Sequence, residues 1–355
     1  MNKTIGKKRE TWIDFAKIIA SFLVVILHTC CYGIKDGKLF SDSYLYYLGT
    51  YSIPMFFMVN GYLQLRKEKI TYNYVFKKIM SIIKISLIWN VIYFIAKIYK
   101  TKKYISLVYV TILSFLQKGY FWQFWFLFAL IIVYLFLPIL NNLLNKKTKT
   151  FYIISMILII VCVIMDCMNI FINNSFHLLI KNLVIQPFRI WTWLCYFCIG
   201  GCLSKIKINR LGKKEHLVFM ILLIVTTTIY QTQLSMKLYN NLYAENFYDS
   251  FLVIFTSILI FTYIKRINFK KISVINNISN LTMGVYIIHP TIIRIFNRIV
   301  VVNNNYKNLL IAIIIFLISL FISYIISKIP KVKNLITIWQ EKKYEQKNCS
   351  KKLCI

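Results

Sequence analysis

Long apolar runs, each about the length that crosses a hydrocarbon core, divide the chain near 12–32, 44–65, 79–99, 120–141, 151–170, 188–205, 216–234, 248–265, 281–301 and 308–329. Short basic clusters separate them. Arg66, Lys67, Lys69, Lys77 and Lys78 follow the second run, and Lys146, Lys147 and Lys149 the fourth. Lys205, Lys207, Arg210, Lys213 and Lys214 follow the sixth, Lys265, Arg266, Lys270 and Lys271 the eighth, and Lys328, Lys331 and Lys333 the tenth. The other loops are lean or mixed, which is the positive-inside alternation with both termini cytoplasmic. The connection after the third run departs from it, with Lys97, Lys100, Lys102 and Lys103. Residues 104–117 in that connection are apolar but short, which suits an interfacial or re-entrant helix. The pattern predicts an all-α, polytopic membrane bundle of about ten transmembrane helices. It divides into a basic cytoplasmic N-terminus over 1–11, a transmembrane domain over 12–329 and a basic cytoplasmic tail over 330–355.

Composition sharpens this reading. Of 355 residues, 59% are hydrophobic and 15% charged, too apolar in unbroken runs for a soluble core. The net charge of +33 invites a nucleic-acid partner, but its basic residues punctuate apolar runs, so an anionic cytoplasmic leaflet is the expected partner instead. The first run follows Lys3, Lys7, Lys8 and Arg9 like a signal peptide, yet it contains Asp14 and Lys17 and lacks a small-x-small cleavage site. It reads as a retained span. Cys195, Cys198 and Cys202 lie on an apolar run without flanking polar ligands, so they are expected to pack, and no metal is expected.

Within the first run, Asp14, Lys17, Ser21 and His28 share one helical face. Lys17 and His28 are eleven residues apart, within about 20° of the same direction and about 16 Å along the axis. Ionisable groups at membrane depth are costly and face a bundle interior or wet cavity. The competing reading leaves Asp14 and Lys17 in the headgroup layer and His28 as a structural histidine. In the ninth run, Pro290 removes a helix hydrogen bond and frees the Tyr286 carbonyl; Tyr286 and His289 share a face. Arg294 and Arg298 follow towards the expected outer end, where snorkelling to headgroups is the alternative role. Trp122, Trp125, Tyr134 and Pro138 mark the fourth run, and Asp166 in the fifth has Arg189 as a candidate partner.

The Lys17-x10-His28 arrangement after Trp12-Ile13-Asp14 resembles the opening of membrane acyltransferase family 3, whose members acylate cell-envelope sugars. Ile53 to Tyr62, Phe124 to Leu130 with Tyr134 to Pro138, Cys195 to Leu203 and Gly284 to Pro290 are similar to further family blocks, in family order over nearly the whole chain. Asn60 stands where serine is usual before Gly-Tyr, and the paired-arginine motif appears only as Lys77-Lys78. The resemblance implies acyl, chiefly acetyl, transfer from cytoplasmic acyl-CoA to a carbohydrate hydroxyl at the cytoplasmic (inner) membrane. His28 is then the expected general base, with Asp14 beside it in the catalytic set or as the ion-pair partner of Lys17. Lys17, Lys77 and Lys78 are expected to meet cofactor phosphates, and His289, Tyr286, Arg294, Arg298 and Trp125 the acceptor. A transporter or flippase of an envelope glycan intermediate is the rival reading, although no internal repeat is visible. Acyl-CoA dependence separates the two.

Overall fold

A computed structural model describes residues 9–30, 43–102, 106–176, 183–206, 212–239, 243–269, 272–299, 305–330 and 332–336. The elements found there are helical: α1 (Thr11–Cys30), α2 (Ser43–Leu48), α3 (Ser52–Leu65), α4 (Tyr72–Thr101), α5 (Leu107–Phe115), α6 (Trp125–Leu135), α7 (Leu137–Lys146) and α8 (Thr148–Phe176). Then come α9 (Ile190–Lys205), α10 (Lys213–Leu234), α11 (Phe251–Arg266), α12 (Ser273–Phe296) and α13 (Asn305–Lys328). Within the described residues each expected apolar run is helical, the second and fourth as two helices each. Five helices are long and apolar enough to cross a membrane, within Thr11–Cys30, Tyr72–Thr101, Thr148–Ile172, Lys213–Tyr239 and Tyr306–Lys328. The pair α6–α7, bent by 52° between Leu135 and Leu137, makes a sixth if it counts as one span. The remaining runs give shorter or more polar helices: α9 and α11 have 16 residues each, and α12 opens with Asn276, Asn277 and Asn280.

These two helix types occupy different places. The apolar windows of α4, α8 and α10 are only 22% buried, whereas that of α1 is 61% buried. Ile92 and Ile95 of α4, Met156 and Ile160 of α8, Ile221 and Leu222 of α10 and Phe321 of α13 are exposed. Apolar surface this extensive is suited to lipid rather than water. The helices α3, α9, α11 and α12 lie inside with α1, where they pack on one another. Glycine makes the closest of these contacts. A Cβ on Gly61 would overlap the carbonyl oxygen of Phe197, and one on Gly200 that of Met58, so α3 and α9 meet backbone to backbone.

Local chemistry sets the helix ends. Thr71 caps α4, accepting from the amide of Tyr74 at 3.3 Å, and Lys102 closes it in the left-handed region at φ 55°. Ser106 caps α5 in the same way. At nine residues α5 is too short to span, as expected for that connection, and Asn90 of α4 anchors it by a bond to Ser114 at 3.2 Å. The chain then turns through Gln117 and Gly119, both at positive φ, into a 3-10 turn at Trp122–Phe124. That turn brings the fourth run against α12. Arg189, a candidate partner of Asp166, donates to the carbonyls of Val184 at 3.0 Å and Glu245 at 2.8 Å.

Candidate active site

Helix α1 packs against α12, α3, α13, α2 and α11, so its polar face is turned into the bundle. Asp14 and Ser21 are each 2% exposed, and His28 is half-buried. The helices α1 and α12 run in the same sense, because Asp14 meets Ser279 near their N-terminal ends and His28 meets His289 further along. One seam therefore carries both histidines.

Asp14 occupies the N-terminal end of that seam. Its carboxylate accepts from Arg9 Nε at 2.5 Å, Arg9 Nη2 at 2.9 Å and Ser279 Oγ at 2.7 Å, and lies 3.6 Å from Lys17 Nζ. Arg9 also reaches the Asn276 carbonyl and the Asn280 side chain on α12. Asp14 is therefore the partner of Lys17, as its one-turn spacing suggests. Fourteen residues separate it from His28, about 21 Å along a helix. Nearby, Glu10 pairs with Arg66 at 2.5 Å and accepts from Trp12 at 3.0 Å.

The other end gathers aromatic and imidazole rings. The His28 ring stacks on that of His289, with centroids 5.3 Å apart and planes 12° from parallel. Trp122 meets His28 edge-on at 4.7 Å. His289 is fully buried, and its Nδ1 lies 2.9 Å from the Val285 carbonyl one turn back. Tyr286, also buried, donates its hydroxyl to the carbonyl of Gln123, while the Gln123 amide reaches the Ile287 carbonyl at 3.5 Å. Arg294 donates to the Tyr120 carbonyl at 2.6 Å and lies over the Tyr120 ring at 3.9 Å. The turn through Tyr120–Gln123 is thus fastened to α12 at three levels and touches α1 through Trp122.

Several expected residues lie elsewhere. Trp125 is buried against Trp193 at 5.3 Å, so Trp122 and not Trp125 is the indole that meets His28. Arg298 is exposed. Lys77 is exposed and Lys78 buried on α4, which packs mainly on α5, α6 and α7, whereas Lys17 belongs to α1. Gln123 was not singled out by sequence, although a lone amide in Phe121-Trp122-Gln123-Phe124-Trp125 is the same signal as a lone histidine in an apolar run. Arg9, the main partner of Asp14, was hidden within the basic cluster that imitates a signal peptide. Among the described residues no cluster of histidine, cysteine and carboxylate groups could hold a metal ion.

A comparison with protein-family models matches residues 10–328 to a family described as an acyltransferase domain, Acyl_transf_3. No curated protein and no solved structure matches the chain. The matched span begins beside Arg9 and ends with α13, taking in both ends of the α1–α12 seam. The chain belongs to acyltransferase family 3 and is a multi-pass membrane acyltransferase.

Proposed function

We propose that the protein moves an acyl group, most simply acetyl, from cytoplasmic acyl-CoA to a hydroxyl of a cell-envelope carbohydrate at the inner membrane. The observation that carries this reading is the stacked His28–His289 pair under Trp122, at the far end of a buried polar stripe in a chain of this family. His28 acts as general base. Its imidazole takes the proton of the acceptor hydroxyl as that oxygen attacks the thioester carbonyl. The tetrahedral intermediate collapses, the C–S bond breaks, and the departing thiolate receives the proton back. His289 and Tyr286 position the acceptor beside the reacting oxygen.

Donor binding belongs to the basic end. Lys17, with its side chain 27% exposed, remains reachable by a phosphate while paired to Asp14. The Lys17-to-His28 spacing of about 16 Å lets an extended thioester arm reach from one end of α1 to the other.

The test is incorporation of labelled acetyl from acetyl-CoA in membranes containing the protein, with an envelope-glycan extract as acceptor. Label in an alkali-labile glycan ester that depends on the protein is the expected result. Glycan translocation without acyl transfer or acetyl-CoA binding would replace this reading with a flippase.

A further inference from the structure

Three buried atoms around the Tyr120–Gln123 turn have no hydrogen-bond partner among the described residues: Nε2 of His289, Oε1 of Gln123 and Nη1 of Arg294. His289 and Gln123 are 0% and 2% exposed, so water does not satisfy them from outside. A buried polar atom without a partner is costly, and a ligand held at this turn would supply partners. The three atoms are also chemically distinct.

The His289 atom is an acceptor. A backbone carbonyl can only accept, so the bond to Val285 places the proton on Nδ1, and in the neutral ring Nε2 presents its lone pair. Gln123 offers a second acceptor, because its amide nitrogen faces the Ile287 carbonyl and its Oε1 is left over. Arg294 offers a donor with a permanent charge. Its guanidinium is fixed on two sides, by the Tyr120 carbonyl at 2.6 Å and by the Tyr120 ring, which in turn stacks on Tyr93 at 4.2 Å and bonds to Thr291 at 3.2 Å. No carboxylate neutralises it among the described residues. The ion pairs found there, Arg9–Asp14, Lys17–Asp14 and Arg66–Glu10, all gather at the N-terminal end of α1.

An oriented guanidinium with no carboxylate partner among the described residues, on the same turn-to-α12 contact as two buried acceptors, complements an anion that also carries hydroxyls. We propose that the acceptor is an acidic carbohydrate, bearing a carboxylate or phosphate close to the hydroxyl that is acylated. Arg294 binds the anion, and Gln123 Oε1 and His289 Nε2 accept from neighbouring hydroxyls. Arg298, exposed on the next turn, takes no part. This inference deepens the transferase reading and rests on it for the identity of the occupant as acceptor.

Binding without any acyl donor tests it separately from transfer. Wild-type, Arg294→Ala and Arg294→Lys proteins in phosphatidylcholine nanodiscs are titrated with methyl glucuronide, methyl glucose 6-phosphate and methyl glucoside. The wild type is expected to bind at least one anionic glycoside about tenfold or more tighter than the neutral one. Arg294→Ala should bring all three within about twofold, and Arg294→Lys should keep part of the preference because it keeps the charge but not the fork. Gln123→Leu should weaken all three alike and leave the charge preference intact, which guards against a folding defect in the arginine variants. Equal binding of charged and neutral glycosides by the wild type overturns the proposal. So does a preference that survives in Arg294→Ala. Arg294-dependent stabilisation produced by anionic phosphatidylglycerol, and not by a glycoside, would make Arg294 a headgroup anchor instead. Charge-selective binding without acyl transfer would uphold the site while removing the transferase reading.

Discussion

At the N-terminal end of the α1–α12 seam, the Asp14 carboxylate accepts from Arg9 and Ser279 and pairs with Lys17. At the other end, His289, Gln123 and Arg294 each keep a buried atom without a partner among the described residues. Both ends hold ionisable groups within an apolar bundle, but the Asp14 carboxylate has its partners, whereas His289 and Arg294 each leave an atom open. Groups that complete one another inside the fold mainly hold helices together; groups left incomplete are held in readiness for something that arrives. The difference sets a structural carboxylate, Asp14, with the Lys17 ammonium left reachable beside it, against an end left open for a ligand.

Substitutions sharpen that contrast. His28→Ala should have the largest effect, lowering acetyl transfer by about two to four orders of magnitude with thermal stability unchanged, as loss of a general base does. Asp14→Ala should do the reverse. It leaves cations facing an empty site at α12, and a loss of about 2–3 kcal/mol is expected in a denaturation measurement. That is below the figure for a wholly buried pair, since the Arg9 side chain is 45% exposed. Catalysis by the folded fraction should persist. Lys17→Ala should raise the KM for acetyl-CoA several-fold and spare kcat; a loss confined to kcat would move Lys17 out of donor binding. Ser21→Ala is the smallest change. The Ser21 hydroxyl is buried on the same face of α1 without a partner among the described residues, and removing an unsatisfied hydroxyl should shift stability by no more than about 0.5 kcal/mol. A large activity loss there would show that the functional end reaches further down α1 than His28.

Much of the architecture was legible because length and hydropathy are local properties. Each apolar run became helical within the described residues, two of them as broken pairs of helices, and the short connection after the third run became α5 without spanning length. Less legible was which helices lie inside. The inner ones, α9 and α11, have only 16 residues each, and their neighbours rather than lipid cover them. The polar stripe of α1 followed from helical periodicity alone. Its pairing with His289 did not, because that contact spans more than 250 residues of chain and depends on how α1 and α12 pack. The same distance problem hid the backbone carbonyls that the Arg189 guanidinium meets, and favoured Trp125 over Trp122. Three residues of register along the fourth run decide which indole faces the histidines, and the 3-10 turn at Trp122–Phe124 sets that register.

The central claim, that the His28–His289 end is the reacting centre, is tested most directly by a double-mutant cycle. Acetyl transfer from acetyl-CoA is measured for the wild type, His28→Ala, His289→Ala and the double variant, each confirmed as folded in the membrane. Both single changes should reduce kcat/KM, and the double variant should be no worse than His28→Ala alone, because the two imidazoles act as one unit. Near-normal transfer by His28→Ala, or losses that simply multiply, would contradict it.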